Sequence, residues 1–321
     1  MKKSLLILVC FALCSTLVFA AGGAQAKKFP SKQITCLVGA SPGGTSDITA
    51  RTLGKLVEAD LGVPVVVTNK PGGSSAAATE YMVAQPADGY TIMYVPVENA
   101  MIKPLGLSKI EPKGVTYIAR AMTLPATVTV KSDSPWNSLK DLIDYAKANP
   151  GKVSAGNSGP GSIWDFATVG IEMSCGIQLN HVPFDGGAAA ATAVMGGHVD
   201  LCPVGTGEVK SGVDAGKLKI LAIVDNQRNG LYPDVPSMKE LGYEATIFAW
   251  GCIGGPPNMP ADVLKILEAS YAKAIQSKEW KDMCAQNGWA PAYLNAADAQ
   301  KFAESQAAWY QEKIPTLNMV K

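Results

Sequence analysis

Histidine is nearly missing from this chain: His181 and His198 are the only two in 321 residues. A His-rich metal site is therefore excluded, and a single-histidine catalytic scheme has two candidate bases. No G-x-S-x-G elbow occurs, because Gly156-Asn157-Ser158 runs into Gly159-Pro160. Neither GxxxxGK[ST] nor a GxGxxG after a strand is present, and Gly205-Thr206-Gly207 is only a fragment of one. Nothing assembles a catalytic constellation, so an enzyme is not expected. Neither a cofactor nor a metal site is expected. Charge is sparse, at 17% of residues, and too low for a disordered chain that holds 47% hydrophobic residues. Lys plus Arg number 28 against 27 Asp plus Glu, which argues against a nucleic-acid binder. Gly and Pro, 32 and 21, follow no period, so collagen-like and low-complexity classes are out.

Long apolar runs are confined to the start. Lys2 and Lys3 precede an apolar stretch from Leu5 to Ala21, and Ala24-Gln25-Ala26 follows. A basic start, an apolar middle and a small-x-small end describe a secretory signal peptide cleaved near Ala26. The expected location is the periplasm. Val9 and Leu13, which precede Cys10 and Cys14, are not small, so lipidation is not expected. Residues 1–26 contain two Lys and no acid, which leaves 26 basic and 27 acidic residues, a formal charge of −1. Five cysteines remain: Cys36, Cys175, Cys202, Cys252 and Cys284. An odd number leaves at least one thiol unpaired, and no CxxC or zinc spacing exists. Three lie in apolar strand-like runs and read as small core residues.

Strand-like and helix-like segments alternate, the pattern of an α/β protein with largely parallel sheets. Strands are expected near 34–39, 63–67, 90–95, 116–122 and 126–130, then near 152–156, 179–183, 199–204, 218–224 and 248–254. The length suits two domains. Two α/β series meet at 123–126, and the chain crosses back near 246–250. The three helices after Pro260 read as having no strand of their own, packing on the first sheet.

Three strand-to-helix junctions share one chemistry: 41–47 (SPGGTSD), 157–165 (NSGPGSIWD) and 185–188 (DGGA). A helix N-terminus has unpaired N–H groups and about half a positive charge. Glycine lets the backbone approach a ligand closely, and hydroxyls add donors. Together these describe a site for a carboxylate or phosphate beyond the strand ends. Gly-rich turns also start helices without any ligand; three in two domains favour a cleft for a small anion. Asp47 and Asp165 lie in first helical turns, where a negative charge is favoured in any case. Asp185 ends a strand, and Glu98 follows the strand near 90–95. Any of the four that faced the cleft would answer an ammonium or hydroxyl.

These segments carry a resemblance. PGGTSD at 42–47, Asn69-Lys70-Pro71-Gly72, Pro86-Ala87-Asp88-Gly89-Tyr90, HVPFDGGAAA at 181–190 and Pro233-Asp234-Val235-Pro236 resemble the solute-binding receptors of tripartite tricarboxylate transporters, also called the Bug family. The likeness covers about 28–314. It implies a type II periplasmic-binding-protein fold, with two α/β lobes that close over a ligand. One lobe is expected over 27–124 and 248–321, the other over 125–247. It implies a monomeric receptor that hands a small carboxylate to one large and one small integral membrane subunit. A receptor feeding a sensor would share the fold. By this resemblance, Gly43, Gly44, Thr45, Ser158 and Ser162 hold the carboxylate. Ser41, Asp47, Asn157 and Gly159 belong to the same loops, and Phe184, Asp185 and Gly186 form the second lobe's other wall. Two positions depart from the pattern: Asp165 stands where many members have His, and Ala249 stands where an aromatic residue is common. The departures suggest a ligand with a carboxylate plus a cationic or hydroxyl group, with Asp165, Asp185 and Glu98 facing the second group.

Overall fold

A computed structural model describes residues 28–316. The segment read as an export signal, 1–26, lies outside the described residues. From Lys32 onward the chain forms one compact unit. It contains two mixed sheets flanked by helices, and no helix among the described residues is long and apolar enough to cross a membrane.

The first sheet begins with β1 (Ile34–Val38), whose five residues are nearly all buried. A Gly-rich turn leads to α1 (Thr45–Leu61), which buries Ala50, Leu53 and Val57. Gly62 ends this helix at φ 70°, and its N–H bonds to the Glu58 carbonyl at 2.9 Å, as a left-handed C-terminal residue does. β2 (Val65–Asn69), α2 (Ala76–Val83) and β3 (Thr91–Pro96) follow, with β2 and β3 parallel to β1 on either side.

β4 (Thr116–Pro125) then runs almost directly into β5 (Thr127–Lys131), the first strand of the second sheet. After α3 (Leu139–Ala148), β6 (Ser154–Asn157) leads to α4 (Ile163–Cys175), and β7 (Asn180–Pro183) leads to α5 (Gly187–Met195). The short β8 (Leu201–Cys202), α6 (Thr206–Asp214) and β9 (Leu218–Ile223) complete this lobe. The chain returns through β10 (Phe248–Gly255), which lies antiparallel between β3 and β4. α7 (Ala261–Gln276), α8 (Lys278–Asn287), β11 (Ala290–Leu294) and α9 (Ala296–Lys313) end the fold.

The strand orders are β11-β4-β10-β3-β1-β2 and β7-β6-β8-β5-β9. Two expectations are corrected here. The sheets are only partly parallel, because the crossing strands β4, β5 and β10 pair antiparallel with their neighbours. The C-terminal region also brings a strand, β11, onto the edge of the first sheet beside β4. The two crossings lie side by side. Ala126 N–H donates to the Ile247 carbonyl (2.9 Å), Val224 N–H to Ala126 (2.8 Å) and Ile247 N–H to Val224 (3.0 Å).

The five cysteines among the described residues are buried and unpaired. Burial pushes the Cys175 thiol up to about 11 and those of Cys36 and Cys284 up to about 12, so they pack as small hydrophobes.

Candidate functional site

A cavity of about 480 Å³ lies between the lobes. Gly43, Gly44, Thr45, Glu98 and Ala249 line it from one side, and Ser158, Trp164, Asp185, Gly186 and Glu208 from the other. Its size suits a small metabolite.

The first wall is the turn between β1 and α1. Gly43 takes φ 83°, and Gly44 begins the helix with no side-chain cap. The first N–H groups of a 17-residue helix thus meet the cavity. Asp47 braces this turn from behind. Its carboxylate accepts the Gly43 N–H at 2.9 Å, Asn69 Nδ2 at 2.9 Å and the Arg51 guanidinium at 2.9 Å. Burial opposes the charge on Asp47, but Arg51, Gly43 and Asn69 outweigh it and hold the carboxyl below its ordinary range.

The loop between β6 and α4 is built the same way. Asp165 accepts the Gly161 N–H at 3.1 Å and Asn157 Nδ2 at 3.0 Å, and Asn157 Oδ1 accepts the Gly159 N–H at 2.9 Å. Gly159 and Gly161 have φ 91° and 75°, which permits the turn. His181 takes the place of Arg51, with Nδ1 3.3 Å from Asp165 and Nε2 3.1 Å from Glu172. Those two carboxylates raise the imidazole to about 9, against the opposing effect of burial. Ser162 caps α4, accepting the Asp165 N–H at 3.2 Å and the Ser158 hydroxyl at 2.7 Å, and donates to the Gly159 carbonyl at 2.7 Å.

The third wall is the start of α5, where Gly186 at φ 97° begins the helix with no side-chain cap. Asp185 is exposed at the rim. Phe184 lies behind the wall: its N–H bonds to the Asn157 carbonyl at 2.9 Å, and its ring packs over Gly156.

The expected residues therefore separate into two groups. Gly43, Gly44, Thr45, Glu98, Ser158, Asp185 and Gly186 come together on the cavity. Ser41, Asp47, Asn157, Gly159, Ser162, Asp165 and Phe184 are not among the residues that line it. The expectation that Asp165 faces a second ligand group is corrected, because its carboxylate is turned into its own loop.

Two other carboxyls, Glu98 and Glu208, line the cavity. Glu98 follows β3 in the turn Val97–Ala100. Burial raises its carboxyl, against the pull of its own N–H and of the Ile163 N–H at the start of α4. Glu208, in the first turn of α6, was not expected. Its Oε2 accepts the Gly205 N–H at 2.7 Å, and its Oε1 accepts Trp164 Nε1 at 3.1 Å. Burial pushes it up to about 7. Gly205-Thr206-Gly207-Glu208 is a fourth Gly-rich junction after a strand, and that was the signal in the sequence. Among the described residues that line the cavity, three are acids and none is Lys, Arg or His.

Paired walls with uncapped helix N-termini can bind a small solute by backbone donors. Known proteins share the fold. A sequence profile of the tripartite tricarboxylate transporter family receptor matches residues 49–319. The UPF0065 protein of the gbd 5′ region of Cupriavidus necator is 29% identical over 299 residues, covering 93% of this chain and 91% of its own. A TctC solute-binding protein from Polaromonas is 29% identical at TM-score 0.76, covering 90% of this chain and 100% of its own. An R. palustris protein solved with adipate is 25% identical at TM-score 0.81, covering 90% and 98%. The chain belongs to the tripartite tricarboxylate transporter family of receptors, a solute-binding protein and not an enzyme.

Proposed function

We propose that this protein is a periplasmic receptor that captures a small carboxylate-containing metabolite and delivers it to the large and small membrane subunits of a tripartite transporter. One observation carries the reading. Two helices, α1 and α5, begin without a side-chain cap, on opposite walls of one cavity. A carboxylate at the start of α1 accepts N–H bonds and meets the positive helix pole, and the start of α5 closes the cavity opposite it. In this reading Gly43, Gly44, Thr45 and Ser158 hold the anion, and Asp47 and Asp165 hold the loops in shape. The lobes, 27–124 with 248–321 and 125–247, close about the paired crossings at Ala126 and Ile247. The adipate bound by a related receptor supports a carboxylate as cargo.

Gly44→Asp tests the assignment. A side chain fits there: an added Cβ would lie 3.7 Å from the Ser41 carbonyl, and φ is −79°. Asp is also a favoured N-cap, so the fold is expected to hold. The new charge would occupy the helix pole. A carboxylate at about a hundred times its dissociation constant should add roughly 2.7 kcal/mol to wild-type thermal stability. That gain should vanish in the variant. Undiminished stabilisation by the same carboxylate would sink the reading of this loop.

A further inference from the structure

We propose that the ligand carries a cationic nitrogen as well as a carboxylate, and that Glu208 and Glu98, on opposite lobes, select for it. The inference rests on the receptor reading above and names the second group of its ligand.

The sign of the cavity is the first reason. Glu98, Asp185 and Glu208 line it, and no basic side chain answers them among the described residues. A second or third ligand carboxylate would force the buried Glu98 and Glu208 to stay protonated, with only backbone dipoles to offset the added negative charge. The second reason is that one of the two helix poles is already faced by the protein's own acid. Gly187 begins α5, and a Cβ added there would lie 2.5 Å from the Glu208 carboxyl carbon. The pole of α1 at Gly44 therefore remains for the ligand carboxylate. One carboxylate is accommodated in this way, and a second is not.

Glu208 is also held ready for a donor. The Gly205 N–H and the Trp164 indole fix one oxygen each. A carboxylate accepts about four hydrogen bonds, so acceptor sites remain for an ammonium. Glu98 comes from the other lobe, so a cation between the two would draw the lobes together. Tyr94, Trp164 and Trp289 add apolar wall for the carbon chain between the charged ends. A purely capping Glu208 would satisfy the Gly205 N–H equally well. It would not set the charge preference of the ligand, and that difference is measurable.

The experiment is titration calorimetry on the full receptor at pH 7, in two buffers of different ionisation enthalpy. The probes are matched pairs: adipate with 5-aminopentanoate, and succinate with 3-aminopropanoate. Within each pair one carboxylate is replaced by an ammonium. The expected result is binding of an amino-carboxylate more than about tenfold tighter than its dicarboxylate partner. Proton release should accompany it, because a carboxyl held near neutrality loses its proton on meeting a cation. Glu208→Gln should abolish both the preference and the release. Glu98→Gln, which leaves the Glu208 contacts intact, should weaken the preference independently. Tighter dicarboxylate binding with proton uptake would overturn the cation proposal and leave the carboxylate receptor standing. An unchanged preference in both variants would also overturn it. Failure of all four probes to bind the wild type, together with undiminished binding of some other solute by Gly44→Asp, would overturn both readings.

Discussion

His181 bridges Asp165 and Glu172 in the folded protein, and its ordinary value of 6.5 rises to about 9. A raised histidine stabilises the fold fully below its unfolded value and loses that contribution as pH climbs through the folded one. The window is therefore about pH 6.5 to 9. The ring is partly solvated, so the contribution is on the order of 1–2 kcal/mol, less than the bare shift implies. Urea unfolding from pH 6 to 10 should show wild-type stability falling across that window, with His181→Asn flat by comparison. Parallel curves would show that the ring carries no structural charge. The direction of Asp165 is not legible in the sequence. Its neighbours in sequence do not show that the Gly161 N–H and Asn157 lie within reach, and only the turn geometry decides between cap and ligand contact. Glu208 was missed because a helix-starting acid at the fourth position reads as a cap, and its burial depends on Trp164, forty-four positions away.

Single elements are legible where a run of apolar residues meets a Gly-rich turn, as at β1 with α1 and β6 with α4. Pairing decides the others. β8 is only Leu201–Cys202, because Asp200 turns its side chain to Ser154 and Pro203 follows. β11 carries Pro291, which suits an edge strand and hides it from a pattern search. The return strand β10 shows what pairing demands. Gly251 pairs with Pro96 on one side and Met122 on the other. A Cβ added there would lie 1.8 Å from the hydroxyl of Tyr94, which is itself buried. Gly251→Ala should therefore cost about 1–3 kcal/mol by overpacking, measured by urea unfolding. Tyr94→Leu in the same chain should recover part of that loss; strict additivity of the two substitutions would place the clash elsewhere.

At the scale of the whole molecule, the two lobes meet at points other than the hinge. Thr206 Oγ1 donates to the Gly288 carbonyl at 2.6 Å, joining the start of α6 to the turn after α8. Phe166 of α4 packs edge-on against Trp309 and Tyr310 of α9, with centroids 5.3 and 5.1 Å apart. Neither contact was legible beforehand, since each joins residues more than eighty positions apart across a chain that leaves its first lobe and returns. The first of them sits on the rim of the ligand cavity, where Gly207, Asn287 and Trp289 contribute to the lining. It is also tight: a Cβ on Gly207 would lie 2.3 Å from the Asn287 carbonyl and 2.8 Å from the Trp289 indole nitrogen. Backbone atoms on one side cannot yield as a flexible side chain can. Gly207→Ala should hold the lobes apart by this strut while each keeps its own core, since Gly207 lies within α6 and has no left-handed φ that a side chain would strain. The expected outcome is a ligand affinity lowered by about tenfold or more, because binding then carries the cost of forcing closure. Small-angle scattering with saturating ligand should show a larger radius of gyration than for wild type, and the thermal midpoint without ligand should move little. A variant that closes and binds as the wild type does would mean that the rim contact forms freely around an added methyl, and that closure is governed by the hinge at Ala126 and Ile247 alone.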